Sequence, residues 1–139
     1  MDGMQPSSSQ LAKAGMQRLC KDFSPVAEAL GFARTRSGSR SWHRSHGELI
    51  EIVHLHRSGS SYGGPTNNSV SVRAEFVIKA PDSPMSKAWL DSDKLKSSNG
   101  YHYHLRFNAL TWSTYDRCVQ DLERVIKEHA VPWFDGHRA

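Results

Sequence analysis

The chain is poor in cysteine: Cys20 and Cys118 are its only two among 139 residues, and they form no Cys-x-x-Cys pair. Such usage points away from a disulfide and toward two buried, reduced thiols. No apolar run approaches the roughly 20 residues that a membrane-spanning helix needs, and no signal-peptide pattern opens the chain. A cytoplasmic protein without membrane contact is therefore expected. Nucleophilic chemistry lacks its usual settings. The serines fall in loops without a Gly-x-Ser-x-Gly turn, and both cysteines fall on amphipathic helical stretches. The glycine-rich stretch 58–65 is followed by no lysine and no helix start, so it makes neither a phosphate-binding loop nor a dinucleotide fingerprint. Acidic residues are outnumbered, 14 against 18 lysines and arginines, for a net charge of +4. That balance mildly favours anionic partners.

The length suits one domain, able to bury about two thirds of its unfolded surface. Residues 1–10 are polar, with Pro6 and three serines, and are expected to be a flexible N-terminal segment. Residues 11–134 form the single domain, and 135–139 a C-terminal tail. Leu11, Gly15, Leu19 and Phe23 recur every four residues, which predicts a first helix over about 9–23. Ser24 then offers an N-cap and Pro25 a first helical position, so the helix is expected to kink or break there. Val26 and Leu30 continue the apolar stripe, and Gly31 supplies the left-handed residue of a C-terminal stop.

The period changes after Phe32. Arg34, Arg36, Arg40, Trp42 and Arg44 occupy even positions in 33–46, so a strand places them on one face, with a bulge or hairpin turn at 37–39. His46-Gly47 is a turn signal, 48–57 a second strand, and 58–68 a long glycine-rich loop. The clearest strand is 69–79, where Val70, Val72, Ala74, Phe76 and Ile78 alternate with Ser71, Arg73, Glu75 and Lys79. Residues 80–100 read as a long connection with a helical turn around 85–90. Tyr101, Tyr103, Leu105 and Phe107 are expected inward, with His102, His104 and Arg106 outward. Ser113, with Asp116 three residues on, predicts the cap of a closing helix. Tyr115, Val119, Leu122, Val125, Ile126 and His129 line its face, and Pro132 stops it. Trp89, Trp112 and Trp133 read as core or lid residues. The expected fold is α+β: a four-stranded, mainly antiparallel sheet with N-terminal and C-terminal helices packed on one face, a two-layer sandwich.

Six segments carry a family likeness. They are the turn ending in Leu30-Gly31-Phe32, the basic strand with Trp42-His43-Arg44, and the strand from Ile50 through His54-Leu55-His56-Arg57. The others are the alternating run 70–78, Tyr101-His102-Tyr103-His104-Leu105-Arg106-Phe107, and the closing helix ending in Val131-Pro132-Trp133-Phe134. Over about residues 11–134 the chain resembles the bacterial domain-of-unknown-function 4304 family. The resemblance implies the α+β fold and supplies no catalytic residues; His54 and His56 stand where such families more often carry polar amides.

Two constellations carry candidate chemistry. His54/His56 and His102/His104 are each spaced by two, so a strand puts both rings of a pair on one side. On neighbouring strands four imidazoles could converge as a metal site or a general acid–base pair. No carboxylate sits beside either pair unless Glu51 or Glu75 reaches across the sheet. Neither pair matches the His-x-Ser/Thr signature of two-histidine phosphoesterases. Histidines on a solvated sheet face are the plainer alternative. The second constellation is Arg36, Arg40, Arg44, Arg57, Arg73 and Arg106 with Trp42 interleaved, a cationic platform for phosphates with an aromatic for stacking, or else an ordinary charged outer face. A protein-binding hot spot is expected around Trp42, Tyr62 and the glycine-rich loop. The leading expectation is a non-catalytic binding module, protein-binding and immunity-like, with no cofactor and no metal. Nucleic-acid binding through the arginine face and a metal-assisted hydrolase using the His-x-His pairs are the alternatives.

Overall fold

Ser7 caps a single long helix, α1 (Ser8–Ala29), in the computed structural model, which describes residues 7–58, 68–83 and 85–138. The Ser7 hydroxyl accepts the Gln10 N–H and the Gln10 side chain accepts the Ser7 N–H, a reciprocal capping box. The expected break at Ser24-Pro25 does not occur, because Pro25 lies inside α1. The Ser24 hydroxyl donates to the Cys20 carbonyl at 2.9 Å and accepts the Trp42 indole N–H at 3.1 Å. Ser24 is thus a mid-helix anchor for a core tryptophan. An interior proline costs about 3 kcal/mol, and burial of Leu19, Phe23 and Ala27 on either side offsets it. The helix closes as its sequence predicts: Gly31 has φ +91°, and the N–H groups of Gly31 and Phe32 reach the carbonyls of Glu28 and Ala27.

The sheet has six strands, not four: β1 (Ala33–Arg34), β2 (Ser41–His46), β3 (Leu49–Ser58), β4 (Ser69–Lys79), β5 (Ser86–Asp91) and β6 (Arg106–Asn108). The order is β1-β2-β3-β4-β5, with β6 also on β4, and every pair is antiparallel. A hairpin turn splits β1 from β2. The stretch expected to hold a helical turn is β5, drawn into extended form by its ladder with β4, Leu90 opposite Phe76 and Trp89 opposite Val77. The run 101–107 is mostly irregular, with strand only at β6 and a bridge between Lys96 and His102. The His104 N–H goes to the Asp121 carboxylate at 2.6 Å instead of a ladder. Tyr101, expected inward, is 66% exposed.

Helix α2 (Tyr115–Val125) starts after Thr114, which has φ +63° and makes no side-chain cap, so Ser113 is not the N-cap. Pro132 does not stop the helix. A wide turn (Ile126–Ala130) lets the Val131 N–H reach the Ile126 carbonyl, and the chain continues as α3 (Val131–Gly136). Alternate residues of β4, Val70 through Ile78, share one core with Leu19 and Phe23 of α1, Leu122 of α2 and Phe134 of α3. Tyr115 ties the two long helices by donating to Asp22 at 2.6 Å. Both cysteines are free and buried, as expected. Trp112 stacks near Phe107 and Trp133 packs against Phe134, whereas Trp89 is 68% exposed. Among the described residues no helix is long and apolar enough to cross a membrane.

Candidate functional site

The side chains of β4 that point away from this core are Ser71, Arg73, Glu75, Val77 and Lys79, and strand register extends them into rows across a face that carries no described helix. One row runs Ser41, His54, Glu75, Asp91, and the next His43, Ile52, Val77, Trp89. The His54 and His56 rings lie 4.1 Å apart between centroids. Ser41 is hydrogen-bonded to the His54 Nδ1. Glu75 does reach across the sheet, its Oε1 lying 3.1 Å from His56 Nε2. Arg73 donates to Asp91 at 2.7 Å, and Asp91 in turn accepts the Asp93 N–H. Burial, with the neighbouring His56 second, holds the His54 pKa below its ordinary value. The polar row is thus internally satisfied, and beside it Ile52, Val77 and the projecting Trp89 form an apolar one.

A second feature is a cleft of about 550 Å³ where β4 and β6 meet the turn after β5 and the first turn of α2. His102, His104, Arg106, Arg117, Asp93 and Ser71 are among its walls. Burial, then Arg106 and Arg117, lower the His104 pKa. Its Nε2 is buried without a hydrogen-bond partner.

The structure redistributes the residues singled out from sequence. The histidine pairs are separate features: His54 and His56 lie ring against tilted ring on the open sheet face, while His102 and His104 line the cleft. Among the described residues no three His, Cys, Asp or Glu side chains are grouped to hold a metal ion. The arginine platform does not form as expected. Trp42 is fully buried against Phe23, and Arg44 turns to the same side beneath Phe32, 4.2 Å from its ring centre. Trp42 pairs with Val53 and Arg44 with Glu51, on the core-facing register of β3. Arg36 lies in the exposed hairpin turn and Arg40 at the start of β2, Arg57 lies opposite Val72, and Arg73 is paired with Asp91. Arg106 opens onto the cleft. Tyr62, most of the glycine-rich loop and residues 1–6 lie outside the described residues.

Sequence reading missed the cluster that receives Arg44. Glu51 is 1% exposed and accepts from Arg44 Nε at 2.7 Å and from Arg138 at 2.8 and 3.0 Å. Arg44 also donates to the Leu30 carbonyl at 2.6 Å. The available signal was a lone carboxylate in step with Val53 and Leu55. The expected C-terminal tail is therefore engaged through Arg138.

The chain matches no known family model, no curated protein and no solved structure.

With the Glu51 cluster enclosed in the fold, two accessible features remain: the helix-free sheet face and the cleft lined by Arg106 and Arg117. The first offers an exposed aromatic, Trp89, beside the paired Arg73 and Asp91. The second offers two guanidiniums with no ion-pair partner among the described residues.

Proposed function

We propose that the protein is a non-catalytic binding module whose helix-free sheet face docks onto an acidic protein partner. The observation that carries this is Trp89, 68% exposed at the end of the Ile52–Val77–Trp89 row. Tryptophan is among the residue types most enriched where binding energy concentrates at protein interfaces. On this face Asp91 is paired with Arg73 and Glu75 lies within hydrogen-bonding distance of His56, whereas Lys79 has no ion-pair partner among the described residues and offers its ammonium to a partner's carboxylate. A partner presenting apolar side chains ringed by carboxylates complements that surface. An immunity-like role in a bacterial cytoplasm, on a two-layer sandwich of the domain-of-unknown-function 4304 type, belongs to the same proposal. The order helix, glycine stop, antiparallel strands and closing helix supports that kinship.

The test is affinity capture from the native host, at low and high salt, with wild type, Trp89→Ala and Lys79→Glu. One acidic protein held stoichiometrically at high salt, and weakened at least about 30-fold by Trp89→Ala, supports the proposal. Capture indifferent to both substitutions overturns it. Nucleic acid retained only at low salt would favour the arginine reading instead, for which Arg36, Arg40 and Arg106 are the candidates without an ion-pair partner among the described residues.

A further inference from the structure

Most arginines among the described residues have partners. Glu51 holds Arg44 and Arg138, Asp91 holds Arg73, Asp121 and Glu128 hold Arg124, and Asp22 holds Arg18. The Ser39 carbonyl holds Arg34. Arg36 and Arg40 lack ion-pair partners in and beside the open hairpin turn. Arg106 and Arg117 also lack them, and these two line one half-open cleft of about 550 Å³. They come from different elements, β6 and the first turn of α2. Both depress the His104 pKa after burial has done so, so their fields overlap at one wall of the cleft. The remaining walls are mixed: Val72, Leu95 and Leu105 are apolar, Ser71 offers a hydroxyl and Asp93 a carboxylate.

We propose that this cleft binds a small phosphate monoester whose body carries hydroxyl or amino donors, the class that includes sugar phosphates and mononucleotides. Guanidinium forks match phosphate oxygens in bidentate pairs. A phosphate monoester presents three terminal oxygens, enough for two guanidinium forks to share, whereas a single carboxylate fills only one fork. Asp93 repels further anionic groups and accepts from a hydroxyl or amine, so the cleft distinguishes the ester from free phosphate. The volume falls within the range of about 300–1,000 Å³ usual for small-ligand sites. This ligand is independent of the sheet-face partner, because Trp89 is not among the cleft residues.

The experiment is a nuclear magnetic resonance titration of the full chain at low ionic strength, following the ring signals of His102 and His104. The probes are inorganic phosphate, glucose 6-phosphate and adenosine monophosphate, tested separately. Saturable shifts with at least one ester, tighter than with inorganic phosphate, are expected. Arg106→Ala and Arg117→Ala should each weaken binding about tenfold or more, the usual loss for a charge-assisted contact. Asp93→Asn should weaken the ester and spare inorganic phosphate. Arg106 and Arg117 are exposed, so these variants should keep the wild-type melting temperature. No saturable shift with any probe overturns the proposal, as do shifts undiminished in the Arg106→Ala/Arg117→Ala double variant. Inorganic phosphate binding as tightly as both esters overturns the ester assignment.

Discussion

Glu51→Gln should be the most damaging conservative substitution in the protein. The Glu51 side chain is 2% exposed and its carboxylate faces two guanidiniums, with Arg44 16% and Arg138 27% exposed. The cluster joins the β2–β3 hairpin to the Leu30 carbonyl at the end of α1 and to the chain just past α3. Glutamine keeps the volume, removes the charge and turns an amide donor toward groups that can only donate. Arg44, whose Nη2 already lacks a partner, becomes an uncompensated buried cation. Breaking a buried ion pair this way costs about 3–5 kcal/mol. At this chain length the loss lowers the melting temperature by about 10 °C or more. Equilibrium urea unfolding, followed by circular dichroism and tryptophan fluorescence, reads the change, with the denaturant slope unaltered. Arg138→Met, at the more exposed end, should cost about 1 kcal/mol. The triple replacement Arg44→Met/Glu51→Leu/Arg138→Met should recover most of the Glu51→Gln loss, as apolar substitutes for buried ion clusters do. Burial pushes the Glu51 carboxyl upward, but hydrogen bonds from Arg138 and Arg44 outweigh it and hold the pKa below the ordinary range. Its stabilisation is therefore complete above the unfolded-state pKa and lost as pH falls through the folded value, so Glu51→Gln should flatten the acid limb of the stability profile. A Glu51→Gln loss under about 1 kcal/mol would refute the reasoning, because it would place the cluster in water.

Three further outcomes follow from burial and backbone geometry. The pKa values of His43, His54 and His104 are lowered, with burial as the leading cause; the unfolded chain takes up those protons first below about pH 6.5. Stability is thus full above that pH and falls through the interval down to the folded values; equal urea midpoints at about pH 7.5 and 5.5 would count against this. Burial, with Asp121 second, pushes the Cys118 thiol up to about 12, and burial raises that of Cys20. A thiol reagent should therefore label both only upon unfolding, and fast native labelling would show an open core. Gly31→Ala should cost about 1–2 kcal/mol, read as a drop in melting temperature, since φ is +91° and the new Cβ lies 3.3 Å from Arg44 Cδ.

The parts of the fold that were legible in sequence have local causes. β4 was read to its end residues because its two faces differ at every step, apolar toward the helices and polar away from them. Gly31 was read because one backbone shape demands it. Ser24-Pro25 misled because its local meaning is a helix start, while the Trp42 indole reaches Ser24 from a strand 18 positions later and the packing on both sides keeps the helix whole. Pro132 misled for a related reason: a wide turn ahead of it removes the conflict that a regular helix would suffer. β5 was missed because Ser86-Lys87-Ala88-Trp89-Leu90-Asp91 has no strong period, and its extension comes from β4's hydrogen bonds.

The candidate sites divide along the same line. A spacing of two says that side chains share a face, and it does so correctly for Trp42 with Arg44 and for His54 with His56. It does not say which face. Register decides that: Trp42 opposite Val53 faces inward, so Arg44 must follow it and needs a buried carboxylate, which Glu51 supplies. The arginines that looked alike along the chain separate only after pairing is complete. Arg44 and Arg73 are consumed by Glu51 and Asp91, and what lines the half-open cleft without an ion pair among the described residues is Arg106 together with Arg117, a residue on a helix that no strand pattern could have joined to it. Asp93 enters the same cleft through the short turn after β5, an element itself hidden from local reading. The proposed recognition therefore rests on charges left without ion pairs among the described residues and on the exposed Trp89. Both are set by long-range pairing, which is why residues that look alike along the chain, Arg44 and Arg106 among them, end in different surroundings.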